Sequence, residues 1–183
     1  MPSLTSVAAR FEIPLTVIEG GVGTVNGVLV ETSQNTATST VFTDPRRILR
    51  VRQPSALEAG MVVRSPVGEI FIVGNNGASE LPEGDLWQSY RLFRAAKKVL
   101  WQRRGKTVDP VTLLPIEDSL QELGEVWAAI EPANREAIER RLHITLEEAT
   151  FITGAAVARD DVLDGRPVIR SDEQLGVRVG IIR

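Results

Sequence analysis

Along residues 1–80, apolar and polar positions alternate in short runs separated by turn-forming clusters. Phe11, Ile13, Leu15 and Val17 interleave with Glu12, Pro14, Thr16 and Ile18, close to the period of two that a half-buried strand requires. Pro14 has no N–H for a ladder, which suits an edge strand or a bulge. The next stretch, Gly20 to Gly27 (GGVGTVNG), has Asn26 where a dinucleotide-binding loop would need glycine, and it leads into the strand-like VLVET rather than a helix. A glycine-rich hairpin accounts for it better. Glu31 to Thr40 (ETSQNTATST) has little to bury and reads as a surface loop or an exposed edge strand. Arg46, Arg47, Arg50 and Arg52 surround Ile48, Leu49 and Val51, a strand with a solvated basic face. MVVR, Ser65-Pro66-Val67-Gly68 and EIFIV give a hairpin signal: Pro66 presets φ at the second turn position and Gly68 suits the fourth. Gly74 to Gly77 (GNNG) is expected to end that strand.

The pattern shifts at LPEGD, Leu81 to Asp85. Leu86, Tyr90, Phe93 and Leu100 then fall at helical spacing behind Asp85 as N-cap, which predicts a helix over 85–97. Asp109-Pro110 and Pro115 make Thr107 to Asp118 a loop. Asp118, Glu122 and Glu125 flank Leu120, Leu123 and Val126, at most one helical turn, before the strand GEVWAAIEP that ends at Pro132. Asn134 is a candidate cap for a second helix over 134–142, with Ala133, Ala137, Ile138 and Leu142 on one face and Glu136–Arg140 as an i,i+4 pair. The strand HITLEEATFI, the two-residue turn Asp164-Gly165 and a last strand through Val177, Val179 and Ile181 follow. The expected fold is therefore mainly β (α+β), a small β-barrel-like module with two short helices. Its divisions are a β-rich N-terminal elaboration (1–80), a linking helix (81–98) and the β module (99–183).

Composition narrows the function. At 183 residues the chain suits one domain or one domain with a large elaboration. The net charge of −3 argues against a molecule-wide electrostatic grip on nucleic acid, and the absence of cysteine removes disulfides and thiolate metal sites. The N-terminus lacks a signal-peptide pattern and no apolar run reaches the ~18 residues of a membrane helix, so a soluble protein made in the cytoplasm, with no membrane partner, is expected. His143, the only histidine, stands between Arg140-Arg141 and a strand, and no serine sits in a glycine elbow, so a triad is disfavoured. Asp160, Asp161, Asp164 and Gly165 resemble a calcium loop faintly, but Val162 and Ser171 occupy ligand positions. Glu147 and Glu148 point to opposite faces of a strand. Trp87, Trp101 and Trp127 read as core residues more readily than as interface anchors. The chain does not read as an enzyme, and no catalytic, cofactor or metal site is assigned. One cluster stands out: Arg91, Arg94, Lys97, Lys98, Arg103, Arg104 and Lys106, with no acid among them. It suits contact with DNA or an acidic partner, or, the favoured reading, a solvated helix face with cations near its C-terminus.

From about Val99 to Arg183 the chain resembles the head-tail adaptor proteins of long-tailed bacteriophages, also called head-closure, stopper or head-completion proteins. The residues that carry the resemblance are VLWQRRG, the loop VDPVTLLPIED, Val126-Trp127-Ala128 through Glu131-Pro132, Asn134-Arg135-Glu136, His143-Ile144-Thr145, DGRPVIRS and GVRVGIIR. The resemblance implies a small barrel-like module at the head–tail joint of the virion. It would form a ring of identical copies, six-fold or twelve-fold, below the portal or adaptor ring, and join it to tail proteins around the passing DNA. Residues 1–98 exceed the usual size of that family, and Pro167 interrupts its hairpin. A tail-completion or baseplate component, and a nucleic-acid-binding module using residues 91–106, are the alternatives.

Overall fold

A computed structural model of the chain describes residues 11–32, 46–80, 86–105, 107–109, 111–112, 115–116, 119–132 and 148–183. Among them every regular element is a strand. Barrel 1 is built from β1 (Glu12–Glu19), β2 (Gly23–Thr32), β3 (Arg46–Arg52), β4 (Val62–Arg64), β5 (Ile70–Glu80) and β6 (Leu86–Arg94). Barrel 2 takes β7 (Lys97–Arg104), then, after the two-residue strands β8 (Thr107–Val108) and β9 (Pro115–Ile116), β10 (Leu120–Pro132), β11 (Ala149–Thr153), β12 (Val162–Leu163), β13 (Arg166–Gln174) and β14 (Val177–Ile182). Closure follows from alternation: inward residues such as Leu15, Leu49 and Phe71, or Val99, Phe151 and Val168, exclude water, and a closed circuit leaves no unpaired edge.

The two circuits are the same. Barrel 1 runs β1-β2-β3-β6-β5-β4 and barrel 2 runs β7-β10-β11-β14-β13-β12, so both join their six strands in the order first, second, third, sixth, fifth, fourth. The ladders match residue by residue. Leu15 opposite Val25 corresponds to Val99 opposite Val126. Leu29–Leu49 corresponds to Ile130–Phe151, and Leu49–Tyr90 to Phe151–Gly180. Val73–Leu92 corresponds to Val168–Ile182, and Val62–Ile72 to Val162–Pro167. The corner before the fourth strand repeats its hydrogen bonds too. Gly60 N donates to Val73 O at 2.7 Å and Val73 N to Met61 O at 2.9 Å. In barrel 2 Asp160 N donates to Val168 O at 2.9 Å and Val168 N to Asp161 O at 2.8 Å. The residues at this corner, Gly60 and Asp160, both have positive φ, +89° and +70°. The chain is thus a tandem of one six-stranded topology.

A third core joins the barrels. Val62, Ile72, Phe93 and Ala95 of barrel 1 pack against Ala129, Ile152 and Val177 of barrel 2, with Trp127 and Val179 half-buried beside them. The link between β6 and β7 is only Ala95-Ala96. The backbones meet at Gly154: a Cβ there would lie 2.0 Å from Gly60 O, so no side chain fits. Asn75 N of β5 donates to Leu175 O, at the β13–β14 turn, at 2.7 Å.

Several expectations hold in detail and others do not. The glycine-rich hairpin joins β1 and β2, and the Ser65–Gly68 turn closes with Gly68 N donating to Ser65 O at 2.9 Å. The Asp164-Gly165 turn has φ of +54° and +73°, the left-handed pair a two-residue hairpin requires. The helix expected over 85–97 is instead strand β6 running into β7. Tyr90 and Leu92 face the barrel 1 core while Phe93 enters the core between barrels, so the strand is apolar on both faces and loses its period of two. The helical turn expected near Leu120–Val126 is the start of β10, where a register shift between Glu122 and Gly124 offsets the apolar spacing. GNNG does not end β5; the strand runs on to Glu80 with a bulge between Asn75 and Ala78. Arg47 is not on a solvated face but lies 5.5 Å from the Phe71 ring centroid. The helix expected over 134–142, His143, Lys106 and most of the Glu31–Thr40 stretch lie outside the described residues.

Candidate interface residues

The basic stretch is divided between β6 and β7, and acids from elsewhere in the chain meet it. Arg94 lies 3.5 Å from Glu69, Lys97 Nζ 2.5 Å from Asp164, and Lys98 Nζ 3.7 Å from Glu19. Arg91 sits 5.0 Å from the Phe93 ring and Lys98 5.7 Å from that of Trp127. Arg104 is exposed at the end of β7, opposite Leu120. A run that looks uniformly basic in sequence is largely charge-balanced in space. The exposed pairs are each worth about 0–1 kcal/mol, so they set charge rather than stability.

Arg103 differs. Its guanidinium donates twice to Asp161, from Nε to Oδ1 at 2.8 Å and from Nη2 to Oδ2 at 3.0 Å. Trp101 Nε1 and Ala158 N also donate to Oδ2, at 2.8 and 2.9 Å. The Asp161 side chain is 3% exposed, against 46% for Arg103, so the carboxylate is buried and its partner reaches in from the rim. Burial pushes the Asp161 carboxyl up, but the bonds from Arg103, Ala158 and Trp101 outweigh it and hold the pKa below the usual carboxylate range. Two-point contact of this kind is the geometry that distinguishes arginine from lysine. It locks β7 to the corner preceding β12. A second buried acid, Glu148, accepts from Arg183 Nη2 at 2.7 Å and ties the last residue to the start of β11.

Asp160, Asp161 and Asp164 do not converge on a cation site: Asp161 faces Arg103, Asp164 faces Lys97, and Asp160 points to solvent beside Arg159. Trp87 is buried, whereas Trp101 and Trp127 are half-buried, the first holding Asp161 and the second at the contact between barrels. A cleft of 410 Å³ opens between the β4–β5 turn, the Ala95-Ala96 link and β10, with Glu69, Arg94 and Glu131 as its charged lining. Glu69 and Arg94 balance one another there. The roles of Asp161 and Glu148 are absent from the sequence reading. The only local signal is position: each acid directly precedes a buried strand, Val162–Leu163 and Ala149–Thr153.

Architecture and charge together define a tandem β-barrel protein whose two modules share one topology and pack through unlike faces. No protein-family model matches the chain, and no curated protein or solved structure matches it.

Proposed function

We propose that the chain is a structural protein of a tailed phage or phage-like particle, a ring-forming head–tail connector of the head-closure type. It joins head to tail below the portal. One observation carries this reading: β7 and β10–β14, which lie in the stretch that resembles the head-tail adaptor proteins, close into a barrel of their own. Val126-Trp127-Ala128 through Glu131-Pro132 forms the C-terminal half of that barrel's longest strand, β10. A connector needs a rigid module with exposed hairpins and no reactive group, and Val22, Val67 and Val111 offer apolar tips at three turns, each more than 80% exposed. The acid partners of Arg94, Lys97, Lys98 and Arg103 favour this over a free DNA-binding module, because paired cations release few counterions. Electron microscopy of purified particles is the test. The expected result is a ring of density for this chain at the head–tail joint. Density at the tail tip would support the baseplate alternative, and none in the particle would end the assignment.

A further inference from the structure

The contact between the two barrels is heterologous: equivalent modules meet through different faces. Barrel 1 contributes its fourth, fifth and sixth strands through Val62, Ile72 and Phe93. Barrel 2 contributes its second, third and sixth through Ala129, Ile152, Val177 and Val179. A two-fold relation would have used the same face twice. A heterologous contact leaves one half of itself unused at each end of the tandem, and repetition of such a contact builds rings or filaments.

The ladders identify the unused halves. On barrel 1 the positions matching Ala129, Ile152, Val177 and Val179 are Val28, Arg50, Trp87 and Ser89; Trp87 is already buried, and Val28, Arg50 and Ser89 stand side by side on β2, β3 and β6. Leu49 and Val51 face the core, so Ile48 and Arg50 face outward, and Val28, Ile48 and Ser89 are half-exposed around an exposed Arg50. On barrel 2 the positions matching Val62, Ile72 and Phe93 are Val162, Pro167 and Arg183. Pro167 is exposed, Ile169 beside it is 37% exposed, and Arg183 is neutralised by Glu148.

We propose that a second copy of this chain docks head to tail, the β12–β13 face of one copy seating on the β2–β3–β6 face of the next. It continues between chains the contact that already joins the barrels within one. The residues that differ at the unused halves tell what kind of contact it is. Ile152 and Phe93 are replaced by Arg50 and Arg183, and Val179 by Ser89, so an apolar, permanent contact becomes a mixed one, with Arg50 among Val28 and Ile48 on one face and Pro167 and Ile169 beside Arg183 on the other. Such a contact is separable, which keeps free copies from polymerising. The proposal supplies the surface for the ring proposed above, yet it is derived from the internal repeat and does not depend on the particle assignment.

The chain contains no cysteine, so the test has a clean background. Arg50→Cys and Pro167→Cys are made in separate chains carrying different mass tags, mixed at high concentration and treated with a short bis-maleimide. Ser89→Cys with Ile169→Cys serves as a second pair, and circular dichroism verifies that each variant is folded. Cross-linked dimers of unlike chains from both pairs, with none from any variant alone, are expected. Like-chain dimers from a single variant would indicate a two-fold contact and overturn the proposal. Absence of any cross-link from both folded pairs would overturn it as well. Particle microscopy can fail while this experiment succeeds, and the reverse, so the two readings stand or fall separately.

Discussion

The two barrels close through the same circuit but seal the same corner with different chemistry. In barrel 1 Glu58 N donates to the thioether of Met61 at 3.4 Å, and Val17 is the neighbour across the ladder from Val63. In barrel 2 Ala158 N donates to the carboxylate of Asp161 at 2.9 Å, and Trp101 stands where Val17 does, across from Leu163, with Arg103 beside it. Large and small residues are exchanged as well. Leu49 faces Tyr90 in barrel 1, where Tyr90 OH donates to Leu57 O, while Phe151 faces Gly180 in barrel 2. The backbone circuit therefore tolerates either an apolar or an ionic seal, provided the polar atoms buried at the seal have partners and its volume is filled. The ionic seal makes barrel 2 sensitive to pH at a point where barrel 1 is not.

Separating the barrels should have the largest effect. Gly154→Val drives a branched side chain into a carbonyl that already lies 2.0 Å from the position of an added Cβ. Because that atom belongs to the backbone of Gly60, the contact must open, and a loss of about 3 kcal/mol in urea unfolding is expected. A loss below about 0.5 kcal/mol, the range of ordinary surface changes, would mean the barrels do not meet there.

Asp161→Asn comes next, at about 2 kcal/mol, since it leaves Arg103 and Trp101 facing a neutral amide. The pH dependence has a fixed sign. The Asp161 carboxyl titrates lower in the folded chain than in the unfolded one, so its stabilisation is complete above about pH 5 and fades as pH falls through about 4 toward the folded value. The difference in stability between native protein and Asp161→Asn should shrink over that window; a difference constant from pH 7 to 3 would show that the carboxylate's charge contributes nothing.

Met61→Leu, the equivalent change in barrel 1, exchanges similar volumes and should cost less than about 1.5 kcal/mol with no pH dependence of its own. Lys98→Ala removes an exposed pair with Glu19 and should cost about 0.5 kcal/mol, lost in high salt. If Met61→Leu cost as much as Asp161→Asn, the two seals would be equivalent in strength as well as position.

Turn chemistry was the most legible part of the sequence: Ser65–Gly68 and Asp164-Gly165 specify their hairpins through local backbone preference alone. Strands exposed on one face, such as β1 with Pro14 and Thr16 opposite Leu15 and Val17, showed their alternation. Strands buried on both faces did not. Leu86, Tyr90 and Phe93 fit a helix because Phe93 is apolar for a second core that no local pattern announces. The tandem repeat was hidden because equivalent positions carry unlike residues: Gly60 and Asp160, Met61 and Asp161, Tyr90 and Gly180 share backbone roles and no chemistry. The charge balance of the basic stretch was hidden for a related reason, since Glu19, Glu69, Asp161 and Asp164 approach it only through long-range pairing.

The central claim is that two equivalent barrels form one body through the apolar core that contains Ile72, Phe93, Ile152 and Val177. Native-state hydrogen exchange tests it most directly, by comparing slow amides of the β3–β6 ladder with those of the β11–β14 ladder as denaturant rises. The account predicts that the two sets converge on one opening free energy and are lost in one transition. Exchange of one barrel at a distinctly lower free energy while the other stays protected would show two independent modules and contradict it.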